Sequence, residues 1–327
     1  MDENKNGSRS MKLKNFIWPS VGILAMLLSI RILYIKLSAI SFTDVLNRLS
    51  DLDIHHWLLA CLCSFVAYAA LAGYDRIALQ HLGHKISWLF ITICSFTTYA
   101  LSHNIGASIF SGAIVRYRAY KMKGLSGTEI AILVGFCSFT FVIGTTLLFG
   151  IVLILKPDII NLIHDGLPEW LGVIIGALLL MCIALYTFGS WLQLKPLRIG
   201  KKFQISYPKI KIVIQQLLIS PLELLGAAGI IYAVLPQHAD IYFISVLGVF
   251  LASFSVALLS NAPAGGIGVL EALFIAGMPN INPADVIAAL IVFRMLYLII
   301  PFIISLFFVA IFEAQQYWKQ IRHTPPK

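Results

Sequence analysis

The sequence predicts an all-α polytopic membrane protein in which six full spans and two re-entrant helical hairpins form inverted repeats. Three observations support this fold class. First, 59% of the 327 residues are hydrophobic and only 12% are charged, whereas soluble domains average about 25% charged residues. Second, Gly, Pro and polar residues interrupt two long apolar stretches. Third, the basic loops that flank the first of these stretches both require the cytoplasmic side.

Six apolar runs are long enough to cross a bilayer, which takes about 20 residues per helix. The predicted spans are 16–35, 57–75, 128–155, 170–192, 212–235 and 284–312. Basic residues cluster in the short loops between these runs, which is the positive-inside pattern of membrane proteins. The net charge of +9 therefore indicates membrane topology, and we expect no nucleic-acid partner.

The stretches 88–115 and 241–278 are predicted to be hairpins. If 88–115 crossed once, the basic segment from Arg116 to Lys123 would lie outside, so we expect it to enter at about 88–101, break near 102–106 and return. The second stretch breaks at a Pro-Gly segment and continues as a short helix at 267–278. In the simpler alternative, 88–115 and 241–260 are ordinary spanning helices, which gives eight simple transmembrane helices.

The order span, span, hairpin, span occurs twice along the chain. This predicts a single membrane domain at 16–312, with repeat one at about 16–155 and repeat two at about 170–312. A basic N-terminus (1–15) and a tail (313–327) are expected in the cytoplasm. Inverted repeats with broken helices are the architecture of alternating-access transporters.

Charged residues inside the predicted spans mark the candidate site, because an isolated charge at the bilayer centre costs about 2.5–3.5 kcal/mol on insertion scales. We expect Glu271 to pair with Arg294 across the second hairpin, with Glu223 as a competing partner for Arg294. Such a pair either fixes helix packing or lines a polar path that contacts a lipid headgroup or couples transport to a proton. Asp75 ends the second span, where a solvated carboxylate and a functional one are equally compatible with the sequence.

Arg116 and Arg118 directly follow the returning limb of the first hairpin. They either set topology or bind phospholipid phosphate, whose oxygens guanidinium groups match bidentately. Broken backbone at membrane depth occurs only inside protein or beside a wet cavity. The other candidate translocation residues lie in the two breaks, at Asn104, Asn261, Gly265 and Gly266.

Catalytic and cofactor motifs are not found in the sequence. It has no Ser-His-Asp order and no phosphate-binding loop, and the glycines at 265–268 follow no strand, as a dinucleotide motif would require. The histidines lack metal-ligand spacing. We therefore expect no cofactor, no metal and no catalytic residue, and predict that the protein is not an enzyme.

The motifs resemble those of a known family. Residues 263–274 and 293–301 resemble two blocks of the lysylphosphatidylglycerol synthase transmembrane-domain family, and 73–75, 101–106 and 111–118 resemble its first-half blocks. The likeness covers nearly the whole chain and is greatest to YbhN-like inner-membrane proteins.

This resemblance implies the flippase-type membrane half of MprF-like proteins, which moves phospholipids such as lysyl-phosphatidylglycerol to the outer leaflet. It implies a bacterial cytoplasmic (inner) membrane location with both termini inside. It also implies functional roles for the residues at matching positions, which are Asp75, Arg116, Arg118, Glu271 and Arg294. MprF-like proteins continue into a soluble transferase domain, whereas this chain stops at Lys327, so we expect no lysyl transfer.

The sequence thus predicts a transporter of anionic or aminoacylated phospholipid, of the lysyl-phosphatidylglycerol or cardiolipin type. The headgroup is expected to enter past Arg116 and Arg118 and to cross near Asn104, Asn261 and Glu271. The alternative is a non-catalytic membrane partner subunit of a lipid-synthesising or envelope enzyme. Membrane phospholipids are the expected partners, and a lipid-synthesis enzyme or a second copy of the chain remains open.

Overall fold

The computed structural model describes residues 42–105, 108–162, 166–193, 197–199, 203–205, 207–236, 241–259 and 268–323. The predicted first span at 16–35 and the N-terminal segment 1–15 lie outside the described residues. Three candidate site residues also lie outside them, Asn261, Gly265 and Gly266.

Within these ranges the chain is helical apart from one small β-hairpin. The helices are α1 (Phe42–Ser50), α2 (Ile54–His81), α3 (Trp88–Ile105), α4 (Ser108–Lys121), α5 (Gly127–Leu155), α6 (Glu169–Trp191), α7 (Ile210–Val234), α8 (Phe243–Leu259), α9 (Val269–Gly277), α10 (Pro283–Phe293) and α11 (Ile300–His323). A 3₁₀ turn (Pro157–Leu162) follows α5, and a π-helical segment (Arg294–Ile299), here called the π turn, joins α10 to α11. Strands β1 (Leu197–Ile199) and β2 (Phe203–Ile205) pair antiparallel.

Five of the described helical segments are long and apolar enough to cross a membrane. They are α2, α5, α6, α7 and the continuous segment Pro283–Phe312. Each coincides with a span predicted from the sequence. Large apolar side chains such as Leu62, Phe65 and Leu185 are exposed on these helices, as a surface that faces lipid requires. The predicted class, a polytopic helical membrane protein, is confirmed.

The first predicted hairpin is formed by α3 and α4, which run antiparallel. A Cβ on Gly112 would lie 2.5 Å from the Ser102 hydroxyl, and the rings of Tyr120 and Phe90 are 6.0 Å apart. The end of α3 therefore contacts the start of α4, and the start of α3 contacts the end of α4. The break lies between Ile105 and Ser108, at the end of the predicted interval, so the alternative of an unbroken helix at 88–115 is wrong. At 1.5 Å per residue, α4 is about 21 Å long, which is shorter than the hydrocarbon core.

The second hairpin is formed by α8 and α9. Ala257 packs on Val269, and a Cβ on Gly277 would lie 2.8 Å from a Val249 methyl, so these helices also run antiparallel. Gly268 precedes α9 with a φ of +85°, a conformation that glycine adopts without strain. With nine residues, α9 is about 14 Å long, roughly half of the hydrocarbon thickness. The short helix predicted at 267–278 is found.

Helices α2 and α7 cross antiparallel in the centre of the described core. A Cβ on Gly226 would lie 2.6 Å from the Cys63 carbonyl oxygen, and one on Gly73 would lie 2.7 Å from an Ile219 methyl. Small residues at such crossings allow the backbones to approach closely. The predicted repeats place α2 and α7 at equivalent positions, and inverted repeats require equivalent helices to run in opposite directions. The repeat boundaries themselves stay predictions.

Two elements were not predicted. Helix α1 packs against α10 through a cluster around Val45 and Ala284, and Arg48 forms an ion pair with Asp285 at 3.1 Å. The β-hairpin lies in the basic loop between α6 and α7. In addition, α11 continues to His323, beyond the predicted span end at 312.

Candidate functional site

A buried ion pair joins the first hairpin to α2. Arg116 Nη2 lies 2.6 Å from Asp75 Oδ1, and its Nε donates to Oδ2 at 3.3 Å. The hydroxyl of Tyr120 donates to Oδ2 at 2.7 Å, and the thiol of Cys137 donates to Oδ1 at 3.4 Å. The Arg116 guanidinium also stacks 4.7 Å from the centroid of the Tyr99 ring. We call these five residues the Asp75 cluster.

The Asp75 cluster binds together α2, α3, α4 and α5. Its two charges are withdrawn from solvent, with side-chain exposures of 0% for Asp75 and 6% for Arg116. The Nε and Nη2 atoms of Arg116 both donate to the Asp75 carboxylate. In this conformation the guanidinium is therefore engaged by Asp75 and not open to a headgroup. The sequence singled out both residues but did not pair them.

Glu223 lies in the core beside the crossing of α2 and α7, and its residue exposure is 2%. The hydroxyls of Tyr74 and Tyr297 lie 2.8 and 3.0 Å from its two carboxylate oxygens. Tyr74 is also 2.8 Å from the carbonyl oxygen of Ser220, one turn earlier on α7. The prediction that Glu223 competes for Arg294 is wrong, because the carboxylate of Glu223 accepts hydrogen bonds from tyrosine hydroxyls instead.

The second predicted pair is found as expected. Arg294 Nε donates to Glu271 Oε1 at 2.7 Å, and Nη2 lies 2.6 Å from the same oxygen. The other carboxylate oxygen accepts the backbone N–H of Gly268 at 2.8 Å. The side chains are 13% and 15% exposed. This pair therefore joins the start of α9 to the start of the π turn and is more open than the Asp75 cluster.

The π turn is held by side chains from the first half of the chain. Ser64 and Tyr68 of α2 donate to carbonyl oxygens in residues 296–298 at 2.8 Å each, and Asn104 donates to a third at 3.0 Å. A π turn shifts the helical hydrogen-bond ladder and often marks a functional site. Asn104, at the end of α3, thus connects the first hairpin to the segment that begins with Arg294.

Aromatic rings connect these groups. Tyr74 meets Tyr99 edge to face at 6.4 Å, and His103 stacks on Tyr297 at 5.2 Å. The Asp75 cluster, Glu223 and the π turn are therefore contiguous. Arg118 lies apart from them, exposed on α4 with its guanidinium 5.8 Å from the ring centroid of Phe312.

The tyrosines that satisfy the buried carboxylates were not predicted from the sequence. These are Tyr74, Tyr120 and Tyr297. A phenol inside an apolar span carries a hydroxyl that needs an acceptor, and that signal could have found them. Among the residues whose placement is described, no group of three or more His, Cys, Asp or Glu side chains could hold a metal ion.

Comparison with known proteins identifies the family. The family described as the lysylphosphatidylglycerol synthase transmembrane region matches residues 21–305. The chain belongs to this family. The resemblance drawn from the motifs is thereby confirmed.

Similar proteins fall into two kinds. The inner membrane protein YbhN of Escherichia coli is 32% identical over 259 residues, covering 76% of this chain and 78% of YbhN. A Synechocystis protein called uncharacterized protein slr0712 is 29% identical over 261 residues, covering 79% of each chain. A phosphatidylglycerol lysyltransferase of Staphylococcus haemolyticus is 25% identical across 99% of this chain but only 37% of the transferase. The chain thus spans little more than a third of that enzyme.

Proposed function

We propose that this protein moves an anionic or aminoacylated phospholipid between the leaflets of the bacterial cytoplasmic membrane. The phospholipid is of the lysyl-phosphatidylglycerol or cardiolipin type. Support comes from the family, since its membrane region is shared with enzymes named for lysyl transfer to phosphatidylglycerol. Further support comes from two helical hairpins that each contribute one member of a shielded ion pair, Arg116 with Asp75 and Glu271 with Arg294.

The observation that carries the proposal is the Glu271–Arg294 pair. It lies where α9 begins, at a break in the second hairpin, and it is partly open to the surroundings. Arg294 donates to one carboxylate oxygen through Nε, and guanidinium N–H groups are donors that phosphate oxygens also accept. Without substrate, Glu271 neutralises Arg294. A headgroup phosphate would replace this carboxylate on Arg294, and Glu271 would keep the hydrogen bond from the Gly268 N–H.

We assign different roles to the two arginines of the first hairpin. Arg116 holds α4 against α2 and acts by positioning the hairpin. Arg118 is exposed and lies next to α11, so it is the guanidinium that an approaching headgroup meets first. Asn104, at the end of α3 in the first hairpin, donates to the π turn that begins at Arg294.

Lipid exchange in reconstituted vesicles tests the proposal. The protein is placed in phosphatidylglycerol–phosphatidylethanolamine vesicles with a trace of fluorescent phosphatidylglycerol, and loss of fluorescence to an impermeant quencher reports movement between leaflets. We expect the wild-type protein to accelerate exchange over empty vesicles. Arg294→Gln should abolish most of that acceleration. Arg48→Gln, which breaks an ion pair at the α1–α10 contact, is the matched control and should retain it.

A charge swap separates headgroup binding from helix packing. The double variant Glu271→Arg with Arg294→Glu keeps an ion pair but moves the guanidinium to α9. If the pair only fixes packing, the swapped protein should exchange lipid as the wild type does. If Arg294 binds the headgroup, the swapped protein should fold but exchange lipid slowly. No acceleration by the wild-type protein would contradict the transport proposal and favour the partner-subunit alternative.

A further inference from the structure

Glu223 combines deep burial with an environment built from hydroxyl groups. It lies beside the α2–α7 crossing, and tyrosine hydroxyls from α2 and the π turn are its hydrogen-bond partners. Among the described residues, no ion pair of Glu223 with a basic side chain is found. A buried carboxylate without a cation is costly when ionised, because phenol hydroxyls offset only part of its lost hydration.

The hydrogen bonds around Glu223 accommodate both of its protonation states. Tyr74 has one hydroxyl proton and two acceptors at 2.8 Å, Glu223 Oε2 and the carbonyl oxygen of Ser220. When Glu223 is ionised, Tyr74 donates to it. When Glu223 is protonated, its new O–H donates to the Tyr74 oxygen, and the Tyr74 proton turns to Ser220. No heavy atom needs to move, and the hydroxyl protons of Tyr74 and Glu223 both keep an acceptor.

Among the described residues, the other titratable groups around Glu223 are four phenols and one imidazole. The titratable groups that face it are Tyr68 and Tyr74 on α2, Tyr99 and His103 on α3, and Tyr297 in the π turn. From α5 and α6, Thr140 and Tyr186 both bind Gln216 of α7. Helices α8 and α10 contribute apolar side chains to this core, and Asp285 of α10 pairs with Arg48. The Asp75–Arg116 pair lies beyond the Tyr99 ring.

We propose that Glu223 is a reversible proton-binding site whose loading and release are coupled to lipid movement. The step forms one O–H bond on Glu223 Oε2 with a proton from water and breaks it on release. The donor is a hydronium ion, which loses one O–H bond and becomes water, and release of the proton reverses both changes. This inference rests on the proposed lipid transport and supplies its driving ion.

The coupling runs through Tyr297. Its hydroxyl donates to Glu223 Oε1, and a hydrogen bond to a charged oxygen is roughly twice as strong as one to a neutral oxygen. Protonation of Glu223 therefore loosens Tyr297. Tyr297 belongs to the π turn, which begins at Arg294, the residue that binds Glu271. The proton state of Glu223 thereby biases the segment that holds the proposed headgroup site.

Two measurements test the inference. Infrared difference spectra of the purified protein, recorded between about pH 6 and pH 8, should contain a protonated-carboxyl band. Ordinary Asp and Glu side chains stay ionised over this range and contribute none. The band should disappear in Glu223→Gln and persist in Glu169→Gln, which makes the same change at an exposed position. In the vesicles described above, a pH difference of about one unit should bias the leaflet distribution of fluorescent phosphatidylglycerol by up to about tenfold if one proton moves per lipid.

Two variants distinguish proton binding at Glu223 from its link to the π turn. Glu223→Gln, which fixes the side chain in a neutral form, should remove the response of lipid exchange to the pH difference, with thermal unfolding in detergent as the check on folding. Tyr297→Phe should keep the carboxyl band and show a weaker response, because proton binding remains while its link to the π turn is removed.

The two proposals fail in different ways. Wild-type exchange that ignores the pH difference would overturn the coupling and leave the transport proposal intact. No wild-type exchange would overturn both transport and coupling. A carboxyl band that survives in Glu223→Gln would overturn Glu223 as the proton-binding site whatever the lipid does.

Discussion

Replacement of Asp75 by asparagine should strongly destabilise the protein. The asparagine side chain has nearly the same shape as aspartate, but Arg116 would keep its charge with 6% of its side chain exposed and lose its carboxylate. Breaking a buried ion pair by removing one partner costs about 3–5 kcal/mol, since an uncompensated charge remains. The hydrogen bonds from Tyr120 and Cys137 to the carboxylate would also weaken, so we expect the upper half of that range.

The double variant Asp75→Asn with Arg116→Gln supplies the critical comparison. It removes both charges and leaves two amides that can bond to each other, and neutral replacement of a buried pair is often close to neutral for stability. We therefore expect it to be more stable than Asp75→Asn alone. Arg48→Gln serves as the surface reference, because Arg48 is 48% exposed and exposed pairs contribute about 0–1 kcal/mol.

Equilibrium unfolding of the purified protein in mixed detergent–denaturant micelles measures these differences. If Asp75→Asn unfolds within about 1 kcal/mol of the wild type, as a surface pair would, the ion pair does not hold the first hairpin and our argument is refuted. Lipid exchange by the double variant adds a functional test. Retained exchange supports a positioning role for Arg116, and loss of exchange in a stably folded double variant would show that its charge contacts substrate.

Two further substitutions test packing and the π turn. Gly226→Leu should destabilise the protein by about 1–3 kcal/mol, because a Cβ there would meet the Cys63 carbonyl oxygen at 2.6 Å. Gly135→Leu, where nothing lies within 4 Å, should unfold like the wild type. Tyr68→Phe removes the hydrogen bond to the Tyr297 carbonyl oxygen and should cost about 1–3 kcal/mol. Amide hydrogen exchange that stays unchanged in the π turn would contradict this last expectation.

The membrane spans could be predicted because two simple constraints determine them. A helix must be long enough to cross the hydrocarbon core, and basic loops must remain inside. The sequence placed one span at 212–235, and α7 occupies Ile210–Val234. The first hairpin followed from charge alone, because its flanking basic loops could not otherwise lie on one side.

The partners of the buried charges were harder to predict. Asp75 and Arg116 are 41 positions apart, and they meet only because α4 folds back along α3 beside α2. Glu271 and Arg294 were predictable, since the hairpin itself places α9 next to the following span. Tyrosine side chains are uncharged and do not stand out in an apolar span. Arg294 was therefore predicted as a competing partner for Glu223, whose carboxylate is instead bound by tyrosine hydroxyls.

The π turn could not be read from the sequence. Residues 294–299 look like ordinary apolar helix, and the shift to π geometry depends on donors that arrive from α2 and α3. Ser64, Tyr68 and Asn104 lie far away along the chain. The helix propensity of residues 294–299 does not depend on these distant donors and therefore cannot predict the π turn.

The thiol in the Asp75 cluster has a practical consequence for spectroscopic labelling. Studies of hairpin movement usually begin from a cysteine-free background, and this chain has five cysteines. Cys61 and Cys182 are exposed and can be replaced or modified freely. Cys137 is different, because alanine at this position would remove a donor from Asp75, whereas serine would retain one. A background that carries Cys137→Ser is therefore the suitable starting point for distance measurements.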